Sequence, residues 1–105
     1  MGDDTKTAAL AAFASQGTAD VIALEIAIHD NDVRAVKFAC HRLRGSSLSI
    51  GATVLAAACG QLELNAAGGR RSAELLANVR RQFDAVIVEI ATELSSTREA
   101  SETVT

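Results

Sequence analysis

Apolar residues recur along most of this chain at steps of three and four, the rhythm of helices that each bury one stripe. The cleanest run is Leu76, Val79, Phe83, Val86, Ile90 and Leu94, which predicts a long helix from about Ser72 to Leu94. Leu55, Cys59, Leu62 and Ala66 predict another from about Ala52 to Ala66, stopped by Gly68-Gly69, with Arg70-Arg71 in the following loop. Val36, Ala39, Cys40, Leu43, Ser47 and Ile50 share one side of a helical wheel and belong to a helix that ends near Gly51. Asp30-Asn31-Asp32 is the tight connection before it and supplies its cap. Val21, Leu24, Ala27 and Ile28 form the core stripe of a helix from about Ala19 to His29, with Thr18 as its N-cap and Asp20 favourable in its first turn. Ile22 and Ile26 fall on a separate strip, expected to lie beneath a short Ala-rich helix over residues 5–15 anchored by Leu10 and Phe13. Gln16-Gly17-Thr18 separates these two helices. Short connections make neighbours antiparallel. The expected fold is all-α: an antiparallel up-down four-helix bundle with a short additional N-terminal helix. Residues 1–17 form that helix and its flank, 18–95 the bundle, and 96–105 a polar, flexible C-terminal tail.

Composition narrows the picture. A chain of 105 residues is one domain, and 49% hydrophobic content with no Pro, Trp or Tyr leaves Leu, Ile, Val and Ala to build the core. The formal charge of -3 argues against nucleic acid as a general partner. No apolar run approaches a membrane span on this reading, because Glu25 interrupts the longest candidate, Val21 to Ile28, so no direct membrane insertion is expected. The N-terminus has Asp3 and Asp4 where a signal peptide carries basic residues. Two cysteines without C-x-x-C spacing point to free thiols in a reducing compartment. The expected location is cytoplasmic, either free-standing or as the cytoplasmic module of a larger, membrane-bound protein.

The chemistry gathers around His41. On the wheel it points away from the Val36-to-Ile50 stripe, with Arg34, Lys37, Phe38, Arg44, Gly45 and Leu48 around it. A helix-interior glycine costs about 1 kcal/mol relative to Ala, and on the solvent side no packing gain offsets Gly45. Its return is clearance for something bulky approaching the imidazole. A neutral imidazole is a nucleophile near pH 7, and nearby cations stabilise phosphoryl oxygens in flight. Taken alone, an exposed histidine is more often an ordinary surface residue; Gly45, Arg44 and Ser46-Ser47 favour the phosphoacceptor. His29 lacks that setting, since Asp30 and Asp32 would repel a phosphoryl group. Cys40 and Cys59 fall on core stripes and read as small hydrophobes. Phe38 has no predicted core role and marks a partner surface, with contact to the first helix as the alternative.

From Cys40-His41-Arg42-Leu43-Arg44-Gly45-Ser46-Ser47, through Gly51-Ala52, to Leu55, Cys59 and Leu62-Glu63, the chain resembles the histidine-containing phosphotransfer (HPt) domain family of bacterial multistep phosphorelays. The resemblance covers residues 18 to 95. Arg44 stands where the family usually has Lys, exchanging an ammonium for a planar fork, and Cys40 where it usually has Ala. The resemblance implies that His41 accepts a phosphoryl group from a receiver-domain aspartate and passes it to a response regulator. It also places Glu63 where the family carries an amide or carboxylate near the active histidine. Arg44, Gly45 and Glu63 would support the transfer, and Arg34, Lys37, Phe38, Arg42 and Leu48 would meet the partner. The domain would act as a monomer, as the HPt module of a hybrid sensor histidine kinase, with no cofactor of its own and Mg²⁺ supplied by the receiver. With no G-x-x-x-x-G-K-[ST] loop, it would be a phosphocarrier rather than a turnover enzyme. A histidine-kinase dimerisation helix pair fits less well, since Arg42 follows the histidine where that motif has an acidic residue, and no Pro is present. A helical adaptor that merely docks a signalling partner is the alternative.

Overall fold

With no proline to interrupt them, the first and last helices run longer than the periodicity alone suggests. The computed structural model describes the backbone of residues 2–103 and the side chains of residues 5–96. It contains α1 (Gly2–His29), α2 (Val33–Ser49), α3 (Thr53–Leu64) and α4 (Arg70–Thr103). α1 packs on α2, α2 on α3, α3 on α4, and α4 back on α1, closing an up-down four-helix bundle with extents of 55 × 20 × 19 Å. At about 1.5 Å per residue, α1 and α4 are much longer than α2 and α3. Their outer ends pass the α2–α3 turn, where Leu10 of α1 and Val86 and Ile90 of α4 flank Ile50 to Ala52.

The first two predicted helices are one. Thr18 is not an N-cap: its hydroxyl donates to the Ala14 carbonyl at 2.7 Å, inside the helix. Gly17 does not break the helix either. A Cβ there would lie 2.7 Å from Cε1 of Phe83, so the missing side chain is what lets the α4 ring press against α1. Phe83 in turn meets Phe13 with ring centroids 6.0 Å apart. Because no separate N-terminal helix folds back, Ile22 and Ile26 have nothing above them and stay 51% and 56% exposed. The continuity also corrects the membrane-length reading. As one helix, Thr5–His29 is long and apolar enough to cross a membrane by length and composition, its alanines lifting mean hydropathy to 1.3, and 33% of that window is buried within the bundle.

The turns behave as their residues dictate. Asp32 caps α2 by accepting from the Ala35 N–H at 3.1 Å. Gly51, at φ +79°, turns the chain in the middle of the α2–α3 connection. α3 ends at Leu64, short of the expected Ala66, with Asn65 as its C-cap, and Gly68 and Gly69, at φ of +98° and +85°, turn the chain into α4. Arg70 and Arg71, expected in the loop, instead form the first turn of α4. Ser72 holds this corner: fully buried, its hydroxyl donates to the Asn65 carbonyl and accepts from the Gly68 N–H at 3.2 Å. At the other end α4 runs on through Thr103 where a tail was expected from residue 96; the side chains beyond Ser96, and Val104 and Thr105 altogether, lie outside the described residues.

The core is Leu10, Phe13, Val21 and Leu24 from α1, the Val36-to-Ser47 stripe of α2, Leu55, Cys59 and Leu62 from α3, and Leu75, Val79, Phe83 and Ile90 from α4. Leu75 takes the buried place expected of Leu76, which is only partly covered. Cys40 and Cys59 are free and fully buried. Burial, then Cys59 and the Glu63 carboxylate, pushes the Cys40 thiol up to about 12. Burial raises Cys59 to about 12 as well, with Arg44 opposing the rise and Asp20 and Glu63 adding to it. Both thiols should therefore react slowly in the native protein and fast when unfolded, two per chain, which a thiol titration measures. The unfolded chain ionises them near the ordinary 9.0. Their contribution to stability is therefore complete below that pH and is lost as pH rises toward 12. A melt series above pH 9 should show this decline, and replacing both by Ala should flatten it.

Candidate active site

α2 carries the site because its inward positions are all small or branched aliphatic. Val36, Ala39, Cys40, Leu43 and Ser47 are buried, and this rotates His41 outward to solvent. Ser47 is tolerated in the core because its hydroxyl donates to the Leu43 carbonyl at 2.6 Å. Ser46 and Ser49 likewise donate to the carbonyls of Arg42 and Gly45, which commits the one O–H of each.

Among the described residues no hydrogen bond or ion pair engages the His41 ring, and Arg34, Lys37 and Arg44 make no ion pair. Lys37 is one turn before the histidine, Arg44 one turn after, and Arg34 two turns before on the same face. A Cβ built at Gly45 meets nothing within 4 Å, so the ring is unobstructed from that side. Lys37, Arg44 and Leu48 of α2 face Gly60, Gln61 and Glu63 of α3 across a groove of about 790 Å³. Arg44 lies low in it, its Nε 3.9 Å from where a Gly60 Cβ would be. Glu63 is half-buried on the α2-facing flank of α3, near enough to both thiols to oppose their ionisation. The structure draws no hydrogen bond between Glu63 and His41.

The expected residues thus divide between two sides of the histidine. Lys37, Arg44, Leu48 and Glu63 border the groove toward α3. Phe38 and Arg42 lie toward α1, where the Arg42 guanidinium sits over the Phe38 ring, 5.7 Å from its centroid. Phe38 is 64% exposed and Leu48 52%. Two neighbours escaped the sequence reading. Gln61 joins the groove from an exposed position that periodicity leaves unremarked. Asp20, expected in a helix first turn, is mid-helix in α1 and buried beside Arg42, its Oδ1 3.6 Å from Arg42 Nε. Among the described residues no group of three or more His, Cys, Asp or Glu side chains comes together to hold a metal ion.

The site is thus a four-helix bundle presenting on α2 a histidine that is unengaged among the described residues, with cations one turn to either side. The family model of the Hpt domain matches residues 8–100, and the chain belongs to that family. Hpt domains perform histidine phosphotransfer in phosphorelays and interact with response-regulator receiver domains. No match was found among curated proteins or among solved structures.

Proposed function

We propose that His41 is the phosphocarrier of this domain, taking a phosphoryl group from the aspartate of one receiver and giving it to the aspartate of another. The observation that carries the reading is the exposed, unengaged imidazole between Lys37 and Arg44, with open space over Gly45. Nε2, the nitrogen projecting furthest from the helix, attacks phosphorus with its lone pair. The N–P bond forms as the bond from phosphorus to the aspartyl oxygen breaks, and the electron pair leaves with the carboxylate. Nδ1 keeps its proton, so the ring becomes cationic, and Lys37 and Arg44 face the phosphoryl oxygens. The return step is the same displacement in reverse. Mg²⁺ belongs to the receiver's acidic pocket, and this chain contributes no cofactor. Its setting is cytoplasmic, as a monomeric module of a hybrid sensor histidine kinase. The test is to mix the protein with a panel of phosphorylated receivers: label should move to it from at least one and on to a second. A panel that yields none, with folded protein, would favour the adaptor alternative.

Glu63 serves the transfer by accepting from Nδ1–H once the partner closes over the groove, tightening a contact that the free protein leaves open. It would hold the tautomer that frees Nε2 and stabilise the cationic ring. Glu63→Gln keeps an acceptor and should retain substantial transfer. Glu63→Ala should be slower by about ten- to a hundredfold, the worth of one hydrogen bond to a charged group. Equal rates in the wild type and Glu63→Ala would leave Glu63 an ordinary surface charge.

A further inference from the structure

Asp20 is the one buried side chain in the described structure with a polar atom left unpartnered. Only 6% of the side chain is accessible. Oδ1 accepts from Gln16 Nε2 at 3.3 Å and faces Arg42 Nε at 3.6 Å, while Oδ2 is enclosed without a hydrogen-bond partner. A half-satisfied buried carboxylate is a poor stabilising device, and an apolar or neutral replacement is often no worse for the fold. Arg42 would not be stranded by such a change, because its side chain is 46% exposed. What Asp20 does fix is a direction. It pulls Arg42 into the α1–α2 seam, and from there the guanidinium lies over Phe38 one turn back. Phe38, immediately beside the His41 face, is a large aromatic with most of its surface in water. Left alone, such a ring samples several rotamers, and a partner must select one.

We infer that Asp20 is a positioning residue for partner docking: through Arg42 it sets the Phe38 ring in one orientation before the receiver arrives. Arg42 is then a brace within the docking face rather than a phosphate-binding cation, unlike Lys37 and Arg44. The inference rests on the phosphotransfer reading for its consequence, but its geometry can be measured without any transfer. Ring current from Phe38 should shift the Arg42 δ-protons upfield in the wild-type NMR spectrum. Asp20→Asn should move them toward ordinary positions, and Phe38→Ala should abolish the shift. In single-turnover transfer from a phosphorylated receiver, Asp20→Asn should raise the half-saturating receiver concentration about two- to fivefold, the scale of an exposed cation–π contact. The effect should fall on that concentration and not on the limiting rate. Added to Phe38→Ala, Asp20→Asn should bring no further rise, because both act through one ring. If Asp20→Asn fails to fold, Arg42→Gln on the α2 surface must give the same rise in half-saturating concentration. Unmoved Arg42 δ-protons in Asp20→Asn overturn the inference whatever transfer does. So does a rise that adds fully to that of Phe38→Ala, or a loss confined to the limiting rate. A wild type that accepts no phosphoryl group counts against the carrier role of His41, and the proton shifts still decide the role of Asp20.

Discussion

His41→Gln is expected to accept no phosphoryl group, while His29→Gln accepts it as the wild type does. Both imidazoles are exposed, so exposure does not separate them. Their surroundings do. His29 Nδ1 lies 3.2 Å from an Asp30 carboxylate oxygen at the end of α1, an acidic corner that repels an incoming phosphoryl group. His41 stands mid-helix between Lys37 and Arg44 with neither cation drawn off by a carboxylate. The bond formed on nitrogen is a phosphoramidate, so label on the wild type should be lost in acid and kept in alkali. The expected loss is complete, because glutamine has no nucleophilic lone pair to take the place of the imidazole. Label persisting on His41→Gln would place the acceptor elsewhere.

The largest expected effect on stability comes from a glycine far from that chemistry. Gly17 and Gly45 both lie inside helices, and alanine should gain about 1 kcal/mol from helix propensity at either. At Gly45 nothing opposes the gain, since a Cβ meets open space, and Gly45→Ala should raise the melting temperature. Gly45→Gln should leave the helix intact and slow transfer by occupying the approach to His41. At Gly17 the added carbon would stand 2.7 Å from one atom of the Phe83 ring and 3.2 Å from another. That ring is buried against Phe13 and has little room to yield. Overpacking of this kind costs about 1–3 kcal/mol, so Gly17→Ala should melt lower than the wild type despite its better propensity. A thermal melt of the pair decides it: two rises would mean that Phe83 gives way, and two falls would mean that the gain at Gly45 is offset by something the open space does not reveal.

Gly17 is also where the sequence misleads. A glycine between glutamine and threonine reads as a break when only local preferences are weighed, because one-dimensional pattern does not show which ring will press against it. The errors at Thr18, Asp20, Ile22 and Ile26 follow from that one misreading: a helix placed to begin at Ala19 makes Thr18 a cap, Asp20 a first-turn acid and the isoleucines a second buried strip. The α2 face was legible because a strict period of about 3.6 fixes which side of the helix is wet, and His41, Phe38 and Leu48 stand where that period puts them. Arg42 is on the expected face, but its ties to Asp20 and Phe38 depend on the packing of α1 against α2. Helix ends were the other weak point. Nothing in Arg70-Arg71 forbids a first helical turn, and Ser72, whose buried hydroxyl organises the corner, has no distinctive neighbours in the sequence.

The unequal lengths of the helices give the molecule two mechanical regimes. Around His41 each helix has two neighbours. Past the α2–α3 turn only α1 and α4 remain, touching each other across an ion pair of Lys6 with Glu93. Fewer buried contacts per residue mean a lower free energy of local opening there. Backbone amides of Thr7 to Ala9 and of Leu94 to Ser96 should therefore exchange with deuterium well before those of Leu24, Cys40 and Cys59, whose protection should track global unfolding. Two-helix opening of this sort leaves the imidazole's own segment intact, so the phosphoryl group would ride on the slowest-exchanging part of the chain.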